Sequence, residues 1–341
     1  MRLHMSAACK QVQPLVSFQG GPGSINPLSV EAFFRPKDKV VFVIGATGTG
    51  KSRLAIDLAT RLDSGAEIIN SDKMQVYKGL DIATNKVTDE ECRGVPHHML
   101  GTVADTQSNF SAADFCHDAS ASIESILDSR RLPIIAGGSN SYIQALINDH
   151  ARFRLRYECF FIWVDVSLPV LRAFVSERVD RMVAAGLVNE VRKIFDPASA
   201  DYSRGIRRAI GVPELDEYLR AEWRGASERA KARLLQSAIE KIKENTCQLA
   251  CRQLQKIDRI NYGPWSRNVR RLDATEAFLR RGRGHGAADE AWESHVAGPG
   301  TNIVLDFLAK DSLYGEGIAA MLPNDAVLTG RVPMAAGAVA R

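Results

Sequence analysis

One stretch constrains this chain more than any other: residues 39–44, a β-branched apolar run, followed at once by Gly45-Ala46-Thr47-Gly48-Thr49-Gly50-Lys51-Ser52. The run contains Val40, Val41, Val43 and Ile44 and reads as a buried strand. The eight residues match the G-x-x-x-x-G-K-[ST] phosphate loop. Beyond them Leu54, Ala55, Leu58, Ala59 and Leu62 recur at helical spacing. Glycines let a backbone wrap closely around a phosphate with its N–H groups turned inward. The following helix adds the partial positive charge of its N-terminus. Lys51 is expected to reach the terminal phosphate, and the Ser52 hydroxyl to hold Mg²⁺. The motif predicts a di- or triphosphate ligand. It does not say which compound, or whether that compound is hydrolysed.

Three further strand-like runs follow. Residues 67–70 end in Ser71-Asp72, residues 132–136 in Gly137-Gly138-Ser139, and residues 159–164 in Asp165. Strands alternating with helical segments predict an α/β fold of the P-loop NTPase type, a parallel sheet flanked by helices. Ligands of such sheets gather at the carboxyl ends of the strands, which places Asp72, Ser139 and Asp165 near the loop. Asp165 reads equally as a magnesium-binding acid or as a helix cap. Residues 230–257 carry Leu235, Ile239, Ile242, Leu249, Leu254 and Ile257 at helical spacing.

Charge and cysteines narrow the classes further. The net charge of the 341 residues is +4, yet residues 151–290 alone carry +8, with −2 on each side. An Arg-rich half suits a phosphate-rich partner, and equally suits solvated helix faces. No apolar run approaches the roughly 18 residues a membrane span needs, so no membrane partner is expected. The cysteines (Cys9, Cys92, Cys116, Cys159, Cys247 and Cys251) include no C-x-x-C pair, which argues for a reducing compartment and against a zinc finger. Residues 1–38 hold Arg2, Lys10, Arg35 and Lys37 against Glu31 and Asp38, the pattern of an organelle transit peptide or of any disordered leader. The expected organisation is therefore a leader over 1–38 and a P-loop domain over 39–282. That domain would carry a helical lid at roughly 168–230, and a Gly/Ala-rich tail without assigned function would follow over 283–341.

Several blocks carry a more specific signal. The segment Asn70-Ser71-Asp72-Lys73-Met74-Gln75-Val76-Tyr77, with Gly94-Val95-Pro96-His97-His98, Gly137-Gly138-Ser139-Asn140-Ser141-Tyr142, Arg178-Val179-Asp180-Arg181-Met182 and Arg207-Arg208-Ala209-Ile210-Gly211-Val212-Pro213-Glu214, resembles the dimethylallyl (isopentenyl) transferase family. The resemblance runs from about residue 39 to 269 and returns weakly at Trp292-Glu293-Ser294-His295. Gly-Gly-Ser-Asn-Ser-Tyr and Gly-Val-Pro-Glu look like the plant adenylate-modifying branch, which makes cytokinins, rather than the tRNA-modifying branch.

The resemblance implies that the loop holds the diphosphate of dimethylallyl diphosphate, with Mg²⁺ as cofactor. ATP or ADP, and AMP as a further option, would be the acceptor through the adenine amine. Asp72 occupies the place of the family's catalytic base. Ser139, Arg178, Arg181, Arg207, Arg208 and Arg252 become substrate-binding candidates, with Arg178 and Arg181 on a lid helix. Cys251 stands where the family has Lys, and Arg208 where plant relatives often have Lys. The chain is expected to be a monomer without a nucleic-acid partner, located in the plastid or alternatively in the cytoplasm or mitochondrion. A tRNA prenyltransferase is the first alternative, and a nucleotide kinase or switch protein the second.

Overall fold

A strand that is apolar on both faces needs a covering layer on each side, and the computed structural model supplies both. It describes residues 37–148, 151–261, 266–282 and 286–319. Among these, six parallel strands form one sheet: β1 (Asp38–Ile44), β2 (Ala66–Asn70), β3 (His97–His98), β4 (Leu132–Ala136), β5 (Tyr157–Asp165) and β6 (Val269–Asp273), in the order β3-β2-β4-β1-β5-β6. Val40 to Ile44 are fully buried. Side chains alternate across a strand, so Val41 and Val43 join a core with Leu54 and Leu58, while Val40, Phe42 and Ile44 join another with Phe115, Ile123 and Tyr142. Each such side chain contributes about 2 kcal/mol on burial.

Helix α1 (Lys51–Arg61) leaves the phosphate loop and covers the first core with Leu54, Ala55 and Leu58. The opposite face is covered by α2 (Ala112–Asp128) and α3 (Asn140–Asn148), whose Phe115 and Tyr142 rings stack at 4.8 Å. A reciprocal cap starts α2: Asp114 N donates to Ser111 Oγ (3.2 Å) and Ser111 N donates to the Asp114 carboxylate (2.8 Å).

A helical region follows β5, made of α4 (Leu168–Ala184), α5 (Leu187–Lys193), α6 (Asp216–Trp223) and α7 (Glu228–Asn261). Its own core joins Leu187, Val191, Leu215 and Ile242 to Val76, Tyr77 and Leu80 from the loop after β2. The Glu190 carboxylate accepts the N–H groups of Ile82 (3.0 Å) and Ala83 (2.8 Å), which fixes that loop against α5. At about 1.5 Å per residue, α7 is long enough to place Ile242 in the helical core, Ala250 in the first sheet core and Ile257 in the second.

The structure departs from the sequence reading at two edges and at one end. β3 and β6 are strands that periodicity did not find. His97-His98 is too short, and Val269-Arg270-Arg271-Leu272-Asp273 is too charged to read as apolar, because an edge strand leaves half its residues to solvent. α8 (Thr275–Leu279) closes the expected domain; within the expected tail follow α9 (Ala287–Trp292), a π turn at Glu293–Ala297 and α10 (Gly298–Ala319), and residues as far as Phe307 pack onto the first core. The Gly/Ala composition that suggested a tail permits close packing instead: a Cβ at Gly300 would lie 3.3 Å from Leu54. Arg61 clasps Glu293 with two bonds of 2.8 and 2.6 Å. The expected leader falls almost entirely outside the described residues, as does most of 312–341.

Candidate active site

The site is built on the loop between β1 and α1. Gly45, Ala46 and Thr49 lie at its base, where Thr49 Oγ1 donates to Ala46 O at 3.0 Å. Thr47, Gly48, Gly50, Lys51 and Ser52 line a cleft of about 1030 Å³. Lys51 is buried, and its Nζ folds over the loop to donate to Ala46 O at 2.6 Å. From α4, Arg178 Nη2 donates to Thr47 Oγ1 at 2.9 Å, while its buried Nε has no partner among the described residues. A buried guanidinium donor left open beside a phosphate loop is a place for an anion oxygen.

The electrostatics point the same way. Burial pushes the Lys51 ammonium down to about 8, with the Asp72 carboxylate opposing that shift and Arg178 adding to it. Burial likewise lowers Arg178 to about 10, aided by Arg181 and opposed by Asp72. Two buried cations therefore share one carboxylate, and their charge favours a bound anion.

Asp72 follows directly on β2. Asn70 straps it down: its side-chain oxygen accepts the Asp72 N–H (3.1 Å), and its amide donates to Asp72 O (3.2 Å) and Met99 O (3.1 Å). One Asp72 carboxylate oxygen accepts from Met74 N at 2.9 Å; the other faces Gly138. The two glycines ending β4 are required by this approach. A Cβ at Gly137 would lie 2.4 Å from the Ser71 carbonyl carbon, and one at Gly138 would lie 2.4 Å from Gln253 Nε2.

The remaining candidates divide. Arg178 and Arg181 line the cleft together with the loop and Asp72. Ser139 does not line it: its Oγ accepts the Lys73 N–H at 2.8 Å, and so secures the turn that carries Asp72. Arg208 is not part of the cleft wall; it joins burial and Lys256 in lowering the Lys73 ammonium, and its Nε and Nη2 are buried without partners among the described residues. Arg207 is turned away. It lies over the Tyr202 ring, bonds Ser199 and lines a separate cavity of about 270 Å³, because neighbouring residues of a 3₁₀ turn point in different directions. Arg252 is exposed on α7, one residue from the side chain that does enter the site. Asp165 binds Arg271 at 2.8 Å and is not part of the cleft wall.

The side chain that enters is Gln253, to which the sequence reading gave no role. It is buried; its oxygen accepts the Thr47 N–H at 2.7 Å, and its amide donates to Gly138 O at 2.9 Å. One residue thus ties the phosphate loop to the end of β4. Arg281 was also missed: it lines the cleft and lies 4.5 Å over the Phe174 ring, which Arg181 approaches at 5.2 Å. Arg281 follows α8 in a run of arginines and glycines with no readable period, so no sequence signal pointed to it.

A family model described as IPP transferase matches residues 75–154 and 149–259. Over 343 aligned residues, covering all of both chains, the sequence is 60% identical to the chloroplastic adenylate isopentenyltransferase 5 of Arabidopsis thaliana. The chain belongs to the IPP transferase family. This transferase is also 55% identical to the mitochondrial adenylate isopentenyltransferase 7 of the same plant, over 88% of this chain and 89% of the relative. With the adenylate isopentenyltransferase of Humulus lupulus it shares 41% identity, over 78% of this chain and 89% of that one. It is therefore a prenyl-transferring enzyme. A solved eukaryotic dimethylallyltransferase acting on tRNA has the same fold, with a TM-score of 0.65 at 22% identity over 80% of each chain. The full-length tRNA isopentenylpyrophosphate transferase of Bacillus halodurans aligns with a TM-score of 0.58 at 26% identity, over 75% of this transferase and 99% of its own chain.

Proposed function

We propose that this transferase moves a dimethylallyl group from dimethylallyl diphosphate to the N6 amine of adenine in ATP or ADP, with AMP as a further acceptor, as the first step of cytokinin synthesis. The observation that carries the proposal is the placement of Asp72 in one cleft with Lys51 and Arg178, near enough for its charge to act on both. The names of the plant relatives support the adenylate acceptor. On this reading the phosphate loop serves a leaving group. The diphosphate sits against the loop N–H groups, Lys51 and Arg178, and the apolar wall of Met182, Ile242 and Leu249 offers space for the prenyl chain. The N6–C1 bond forms as the C1–O bond to the diphosphate breaks. Asp72 takes the N6 proton, which offsets the poor nucleophilicity of a delocalised amine. Acceptor phosphates would meet Lys73 and Arg208, two cations close enough for Arg208 to lower the Lys73 ammonium.

Ser52 lines the cleft beside the loop. A hydroxyl next to a diphosphate suits Mg²⁺, which keeps several waters and takes its other oxygens from substrate phosphates. When bound there, the ion neutralises charge on the departing diphosphate. By analogy with the chloroplastic relative, the plastid is the proposed location, with the mitochondrion as the alternative.

The deciding experiment offers dimethylallyl diphosphate and Mg²⁺ with ADP, ATP, AMP or unmodified tRNA, and identifies the prenylated product. Prenylated nucleotide is expected. Prenylated tRNA with untouched nucleotides would refute the acceptor assignment, and phosphate release from ATP without prenylation would refute the reaction.

A further inference from the structure

The indole of Trp292, from the segment expected to be a tail, lies against the phosphate loop. A Cβ at Gly50 would be 2.6 Å from Trp292 Cη2 and 2.8 Å from Cζ3, so the ring edge touches the backbone of the residue before Lys51. Gly50 has φ near +92°, a conformation that glycine adopts easily and leaves easily. The Gly50 carbonyl accepts the Leu54 N–H at 3.0 Å where α1 begins, and the indole edge adds packing against the same residue. Trp292 is itself fixed by two contacts, one of them braced in turn. Its Nε1 donates to the buried Asp57 carboxylate at 2.7 Å, the Arg53 guanidinium lies 4.6 Å over the ring, and Arg53 also bonds Asp289 at 2.9 Å. The other Asp57 oxygen accepts from Arg93. Trp292, Arg53, Asp57 and Arg93 all line the cleft that contains Lys51 and Asp72.

We infer that Trp292 is a positioning residue for the donor diphosphate: it holds the Gly50–Lys51 peptide so that the loop N–H groups converge on the anion. This rests on the assignment of the loop to the donor diphosphate. It also gives the residues after 286 a part in substrate binding, because α9 forms a wall of the donor site. Removing the ring takes away that packing and leaves the Leu54 N–H bond in place, which loosens the loop, weakens anion binding and leaves the acceptor side unaltered. Phenylalanine keeps an aromatic ring at this place but gives up the bond to Asp57 and the outer ring atoms Cη2 and Cζ3 that meet Gly50, so it restores only part of the packing.

The test measures binding of inorganic pyrophosphate with Mg²⁺ by calorimetry, together with KM for each substrate, in the full chain. Trp292→Ala is expected to raise the pyrophosphate Kd and the donor KM about tenfold, with the acceptor KM unchanged within about twofold; Trp292→Phe should recover part of the loss. Trp292→Ala also opens a cavity at a buried position, so a second measurement uses wild type and Trp292→Phe alone. Pyrophosphate should change the tryptophan emission of the wild type and leave that of Trp292→Phe nearly unaltered. Equal emission responses in the two proteins, or wild-type pyrophosphate affinity in a folded Trp292→Ala, would overturn the inference while leaving the donor site intact. Failure of the wild type to bind pyrophosphate would overturn the donor site itself and this inference with it.

Discussion

Diphosphate binding by this transferase should weaken between pH 7 and 9, a range in which an ordinary lysine does not titrate. The cause is the burial that brings Lys51 down to about 8 from 10.5. With that value the ammonium form falls from about nine-tenths at pH 7 to about one-tenth at pH 9. If only the ammonium form holds the anion, Kd rises about tenfold over the interval, whereas a lysine near 10.5 would change it by only a few per cent. The bound diphosphate keeps Lys51 charged, so binding at pH 9 should take up nearly one proton. Calorimetry in two buffers of different ionisation enthalpy reads both quantities at once. The ligand should be a non-transferable diphosphate monoester that is fully ionised across the window. Lys51→Arg is the control, because a guanidinium stays charged throughout and its profile should be flat. The free protein should show the opposite trend in stability. The unfolded chain holds the Lys51 proton up to 10.5 and the folded chain only up to about 8, so stability rises with pH between those values, by roughly 3 kcal/mol at most. A Kd constant within about twofold from pH 7 to 9, without proton uptake at pH 9, would refute the assignment of Lys51 as a buried, anion-dependent cation.

Other residues allow sharper separations. Asp72→Asn should cut turnover by about a hundredfold or more while pyrophosphate binding survives, and it should move the Lys51 transition to lower pH because the supporting charge is gone; near-normal turnover in a single-turnover assay would remove Asp72 from the base role. Gln253→Glu should harm donor binding more than Gln253→Ala, since Glu cannot donate to Gly138 O and sets a negative charge beside the phosphate loop; the reverse order of donor KM values would exclude the strap. Arg208→Ala should raise the acceptor KM about tenfold and leave the donor KM unchanged, in keeping with unpartnered donors beside Lys73 and outside the cleft wall. A donor effect instead would assign Arg208 to the diphosphate.

What was legible in the sequence was whatever depends on neighbours along the chain. The phosphate loop, β1, α1, β2 with Asp72, β4, β5 and most of α7 follow from local periodicity and turn chemistry. Arg178 and Arg181 were legible through a motif on one helix. The rest depends on contacts distant in sequence. Gln253 meets Thr47 across 206 residues, and nothing in its own helix distinguishes it from Gln248 or Gln255. Ser139 carries a hydroxyl at a strand end, yet whether it faces ligand or backbone depends on where Lys73 lies. Arg207 and Arg208 are adjacent and alike, and only the 3₁₀ turn decides which one acts on Lys73. Trp292 sat in a segment whose small residues resemble a linker until a partner surface is known.

The arrangement of cations also says how the proposed reaction could be accelerated rather than merely bound. As the C1–O bond of the donor breaks, negative charge grows on the diphosphate oxygen that is leaving. Lys51 and Arg178 are buried and depressed from their ordinary values, so each gains from a neighbouring negative charge, and gains more as that charge grows. Interactions that strengthen along the reaction lower the barrier, whereas equally strong binding of substrate and transition state does not. Asp72 takes part at the same moment. Taking the N6 proton neutralises the carboxylate that had supported both cations, and their demand for an anion then falls on the diphosphate alone. Proton transfer at Asp72 and charge development at the loop are thereby coupled through Lys51 and Arg178. In Asp72→Asn the two cations lack that carboxylate from the start. A pre-formed diphosphate should therefore still be held by the variant, while the increase in its stabilisation during bond breaking is lost, so the defect should fall on kcat far more than on donor affinity.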